Sequence, residues 1–193
     1  MRLCTLLSAL MVLACQPQRR AAAPPAIDSV RLGEARTAAT ALGSDLMTML
    51  TQELARGGPA AAIAVCADSA QVRTTRRQQA GIAVRRVGTR VRNPANTPDS
   101  LEAAVLNAFQ ADLAAGRLPA DTTVLETLAG GHTRLRYLRP VRVQEPCLTC
   151  HGPAAGIPDS VRAILAQRYP NDQATGYAVG DLRGAVSVQV AQD

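Results

Sequence analysis

The sequence predicts an α+β domain on three observations. Apolar residues recur at helical spacing over two long stretches directly after residue 26. Alternating, β-branched segments dominate from Thr122 onward. Helices first and mixed strands afterwards make a segregated pattern, the mark of α+β organisation.

The first 14 residues read as an export signal. Arg2 supplies the positive end, and Leu3 to Leu13 form an apolar run too short to span a bilayer. The run ends Val12-Leu13-Ala14-Cys15, which resembles the lipobox of bacterial lipoproteins and makes Cys15 the expected lipidation site. An ordinary secretory signal cleaved nearby is the alternative, and either places the chain outside the cytoplasm. Residues 15–26 have linker composition, rich in Pro and polar residues, and residues 27–193 are expected to form one domain.

Within that domain, Val30, Leu32, Ala35, Leu42, Leu46, Met49 and Leu50 predict a long N-terminal helix to Arg56, with Asp28 or Ser29 as N-cap. Gly57-Gly58 ends it, and Pro59 suits the first position of a second helix that stops at Gly81 and carries Cys66 in its middle. Ile82 to Arg92 alternates like a strand, with a slip of register near Arg85-Arg86. Thr97-Pro98 predicts an N-cap and first turn for a helix to Ala115, ended by Gly116. Thr122 to Leu128 and Thr133 to Val143 predict a hairpin through Gly130-Gly131. Pro158-Asp159-Ser160 opens a short helix to Arg168, and Gly184 to Val190 predicts the last strand.

The chemistry concentrates in Cys147-Leu148-Thr149-Cys150-His151. Two thiols at this spacing can each add across one vinyl group of a haem, and the imidazole that follows can then bind the iron. The implied product is a single covalent haem c. A redox dithiol would be expected in a βαβ context, which is missing, and half of a zinc site is the other alternative. Of the five cysteines, Cys4 leaves with the signal, Cys15 is assigned to lipid, and Cys147 with Cys150 to the haem. Cys66 is left without a disulfide partner, which asks for a reason in an exported chain.

All 21 basic side chains are arginine, and they are spread along the chain instead of clustered with aromatics, which argues against nucleic-acid binding. Arg85, Arg86, Arg90, Arg92 and Arg183 are candidates to pair with haem propionates, because guanidinium matches carboxylate in a two-pronged geometry. Tyr137 and Tyr177 are candidate propionate donors or packing residues. For the sixth position on iron the residues leave Cys66, Met47, Met49 and His132, the last expected to be exposed in the hairpin turn, or else an open site or a water.

Four stretches together resemble one family: AIAVC at 62–66, RVRNPANTPD at 90–99, YLRPVRVQEPCLTCHG at 137–152 and YPNDQATGYAVGDLRGAVSV at 169–188. They are similar to the bacterial c-haem domains of PAS-like fold, known from a cyanobacterial haem protein associated with photosystem II and from sensory parts of receptors and kinases. The resemblance implies an antiparallel sheet flanked by helices, thioether links at Cys147 and Cys150, and iron held by His151. It also implies a cysteine axial ligand, which falls on Cys66. The expected function is low-potential electron transfer by a lipid-anchored protein of the cell envelope, on the periplasmic side, with an unknown redox partner. A redox or small-ligand sensor signalling to a separate partner is the alternative. A peroxidase would need an open distal site with a positioned acid or base, so no enzymatic activity is expected.

Overall fold

The computed structural model of the chain describes residues 26–76 and 81–192, and their side chains except at 64–71, 73, 75 and 76. The expected signal, the linker up to residue 25 and Cys15 lie outside the described residues, as does the side chain of Cys66. Four strands, β1 (Ile82–Val87), β2 (Thr122–Thr127), β3 (Thr133–Arg142) and β4 (Leu182–Ala191), form one antiparallel sheet in the order β1-β4-β3-β2. Helices α1 (Ser29–Arg76) and α2 (Ser100–Ala114) cover its two faces, and the short α3 (Leu148–His151) and α4 (Asp159–Arg168) lie between β3 and β4 in sequence. The architecture is α+β, as the sequence predicts, and its helix-flanked antiparallel sheet is the one the resemblance implies.

Helix α1 begins where Asp28 Oδ1 accepts the backbone N–H of Val30, so Asp28 is the cap. It breaks at Gly58, whose φ of 69° and ψ of −169° are not helical, and Pro59 starts the second arm. On the first arm Ala35, Ala39 and Leu42 are buried one turn apart against Val84, Leu135, Tyr137, Val186, Val188 and Val190. The small alanines let this arm approach the sheet closely. The second arm leaves the sheet and packs through Ile63 against Val161 and Leu165 of α4.

The other face of the sheet buries Val87, Leu138 and Ala185 under Leu106 and Phe109 of α2. Burying each of the two large α2 side chains stabilises the fold by roughly 1.5–3 kcal/mol. Helix α2 is not capped by Thr97. Its cap is Asp99, whose carboxylate accepts the N–H of Glu102 while the Glu102 side chain accepts the N–H of Asp99. Arg136, buried on β3, ties this capping box to the sheet through Asp99 at 2.7 Å and Glu102 at 3.2 Å. Burial by itself would raise the Asp99 carboxyl, but the Glu102 N–H and the Arg136 guanidinium outweigh it and hold the group below its ordinary range.

The expected slip near Arg85-Arg86 is absent. Pairing runs unbroken from Ile82 opposite Val190 to Val87 opposite Ala185, and the strand ends there. The apolar alternation is interrupted because Arg86 stands in place of an apolar residue on the α1 face, not because the backbone bulges. The irregularity lies in the β3–β4 pairing, where Arg183 of β4 is the extra residue, passed over as the register steps from Arg142 to Val141. Opposite it, Gly184 of β4 closes on β1 so tightly that a Cβ would stand 2.1 Å from Val87 O, at a φ of 151° that L side chains avoid.

Candidate functional site

A cavity of about 300 Å³ opens where β1 and β3 end and β4 begins. The sequence places the chemistry here directly: β3 runs out through a 3-10 turn at Glu145–Cys147 into α3, so the C-x-x-C-H segment is anchored on the sheet's end. One helical turn sets Cys147, Cys150 and His151 on one side of that segment. All three line the cavity. Both arms of α1 complete the wall, through Leu46, Met47, Met49 and Leu50 from the first and Ala62 and Ile63 from the second.

No disulfide joins Cys147 to Cys150. Cys147 is half-buried and its sulfur accepts the N–H of Gln144 at 3.4 Å. Cys150 is buried among Ile63, Ile157, Val161 and Leu165. His151 Nδ1 lies 2.6 Å from Ala174 O. A carbonyl can only accept, so Nδ1 carries the proton and Nε2 keeps its lone pair. Burial first, then the neighbouring Arg183 and Arg92 cations, pull the imidazole well below its ordinary pKa, and it is neutral. Residues 174–177 strap the segment down: Gly176 N–H donates to Gly152 O at 2.7 Å and Tyr177 N–H to His151 O at 2.9 Å. The Tyr177 ring meets His151 edge to face, centroids 6.3 Å apart.

Among the described residues no Asp or Glu lines the cavity, whereas Arg86, Arg92, Arg142 and Arg183 do. The site is suited to an apolar body carrying anionic groups. Of the five arginines expected to meet such groups, Arg86, Arg92 and Arg183 are at the wall. Arg85 turns to the other face, donating to Thr97 O, and Arg90 lies over the Tyr177 ring at 4.0 Å. Arg142 is at the wall without being expected there. Its place five residues before Cys147, a short reach from the first thiol, is the signal that points to it. Asp172 and Ala174 fix Arg92 and His151, and nothing in their local pattern marks them as partners of a segment over 20 residues away.

The remaining candidates separate clearly. Met47 and Met49 both line the cavity. His132 is exposed in the turn between β2 and β3, at the opposite end of a ten-residue strand, about 30 Å from the cavity at the usual rise. Tyr137 packs under α1 and donates its hydroxyl to Asp121 at 3.1 Å, away from the site. Cys66 lies on the second arm of α1, one turn beyond the cavity-lining Ala62 and Ile63. Among the described residues no group of three or more His, Cys, Asp or Glu gathers as a zinc site would require.

The model of the Tll0287-like family matches residues 19–191. The crystal structure of the cyanobacterial heme-protein Tll0287 is similar at a TM-score of 0.67 and 27% identity, over 86% of this chain and 98% of that one. No curated protein matches. With the family match spanning nearly the whole sequence and the fold agreeing along it, the chain belongs to the Tll0287-like family.

Proposed function

We propose that the chain is an exported, lipid-anchored c-type haem protein of the cell envelope that transfers electrons at low potential. The observation that carries this reading is the state of His151: neutral, its Nδ1 proton held by Ala174 O, beside two thiols not bridged to each other at the wall of an apolar, arginine-lined cavity. The residues present fit a haem. Cys147 and Cys150 would carry it through thioethers, His151 Nε2 would bind the iron, and Arg86, Arg142 and Arg183 are positioned for its carboxylates. The likeness to a heme-protein supports the same assignment.

Bound there, the haem supplies a one-electron ferric/ferrous couple. The chain's own residues do the rest. Leu46, Met49, Leu50 and Ile63 give the cavity an apolar wall, and His151 is held at one orientation by the 174–177 strap. Cys66, in the reading we propose, would hold the iron together with His151, and an anionic sulfur would favour ferric iron and lower the potential relative to a methionine donor. No catalytic turnover and no nucleic-acid partner are part of this reading.

Acidified acetone tests the attachment. The haem is expected to stay with the chain, and to be lost from the doubly substituted Cys147→Ser, Cys150→Ser protein. Free extraction from the wild type, or zinc in place of haem, overturns the proposal. The break at Gly58 favours a second reading, a sensor, because it separates the Cys66 arm from the arm packed on the sheet. Ferrous CO binding with a change in protein conformation would select it; no CO binding selects the carrier.

A further inference from the structure

Arg92 makes a connected set of contacts beneath His151. Its Nε–H donates to Asp172 Oδ2 at 3.0 Å, and its Nη2 donates to both Cys150 O and Ala174 O. Asp172 Oδ1 accepts the N–H of Ala174 at 2.8 Å, and Gln173 N–H donates to Val91 O at 3.0 Å. Ala174 is therefore held at both its N–H and its C=O, and the carbonyl held by Arg92 is the one that receives His151 Nδ1–H. Arg92 and Asp172 are nearly fully buried, with side chains 8% and 10% exposed.

We infer that Arg92 is a positioning residue for His151, acting through the Ala174 carbonyl to fix the imidazole and to set the strength of its Nδ1–H bond. The inference rests on the haem reading only where it concerns the iron. A carbonyl oxygen has two lone pairs, and an N–H from a cation on one of them makes the oxygen a poorer acceptor for the other donor. With Arg92 in place, the imidazole keeps less anionic character and gives less charge to the metal. Without it, the His151 bond strengthens, ferric iron is favoured and the potential falls. The fork also joins the Cys150 carbonyl to the strap, so the histidine and its acceptor are held to one guanidinium. Lysine could keep the charge but not this geometry.

Arg92→Lys and Arg92→Gln separate geometry from charge. Two readouts are used: the ¹⁵N resonances of the His151 ring in the haem-free chain, and the ferric low-spin spectrum with the reduction potential in the loaded one. Both Arg92 variants are expected to shift the Nδ1 resonance and to broaden the low-spin signal. Arg92→Gln is expected also to lower the potential. An Arg92→Lys protein indistinguishable from wild type in both readouts overturns the inference and leaves charge alone. Should the Arg92 variants fail to fold, Asp172→Asn loosens the same fork, and an unchanged Nδ1 resonance there overturns it equally. A wild type that takes up no haem sinks the proposed function, while the nitrogen resonances still decide the role of Arg92.

Discussion

At the scale of single residues, the site depends on which atoms are already occupied. His151 spends its Nδ1 proton on Ala174 O, so one nitrogen remains for a metal, and the neutral ring needs no proton removed before binding. Cys66 is the residue whose role the next measurement should decide. On the proposed reading, Cys66→Ala is expected to abolish a thiolate signature in the electron paramagnetic resonance spectrum of the ferric protein, and Cys66→Met to raise the potential. A tenfold change in the equilibrium is about 59 mV for one electron, so a modest ligand effect is readable. An unchanged spectrum would turn attention to Met47 and Met49, which stand at the cavity wall.

Tyr137 gives a residue-level signal in stability. Burial first, and then the Asp121 carboxylate, raise its pKa to about 12, against 10 for the free phenol. The folded state therefore holds this proton more tightly than the unfolded chain. Its stabilising effect is complete below pH 10 and is lost as pH rises toward 12, by an amount on the order of 2 kcal/mol. Urea midpoints for wild type should fall over that interval more steeply than for Tyr137→Phe. Equal slopes would show that the phenol is not responsible.

At the scale of elements, the sheet depends on close backbone approach at the cavity. Gly184→Ala is expected to destabilise the protein by more than about 2 kcal/mol, because it adds both a forbidden φ and a collision with Val87 O. Chemical denaturation would check it, and a loss under about 0.5 kcal/mol, the range of ordinary surface changes, would contradict the account. Most elements are legible in the sequence because their signals are local: apolar spacing on α1, Gly58-Pro59 at its break, and paired glycines in the β2–β3 turn. The C-x-x-C-H segment is legible for the same reason. The cap of α2 is not, because Thr97-Pro98 and Asp99 carry competing signals and the reciprocal bond from Glu102 decides between them. The continuity of β1 is hidden because a cavity-facing arginine looks, in sequence, like a change of face. The acceptor of His151 comes from 23 residues away, and no periodicity encodes that pairing.

At the scale of the whole molecule, the domain combines a rigid sheet with a site assembled from both arms of α1, the end of β3 and the strap before β4. Among the described residues no helix is long and apolar enough to cross a membrane. On the proposed reading, membrane association depends on Cys15, since several acyl chains on one residue anchor stably where a single chain is marginal. Cys15→Ser should move the protein from the membrane to the soluble fraction. An unchanged distribution, or a mature N-terminus beyond Cys15 by mass spectrometry, would remove the anchor from the proposal.

The burial of Cys150 has a consequence for the order of assembly. The residue packs with Ile63 of α1 and with Ile157, Val161 and Leu165, all but one of which follow it in the chain, and its remaining side lines the cavity. Once α4 is in place, the cavity is the side from which this residue can be approached. On the proposed reading, the thioether at Cys150 forms more readily before α4 docks onto the second arm of α1. Maturation then has a preferred direction: cofactor first, closure afterwards.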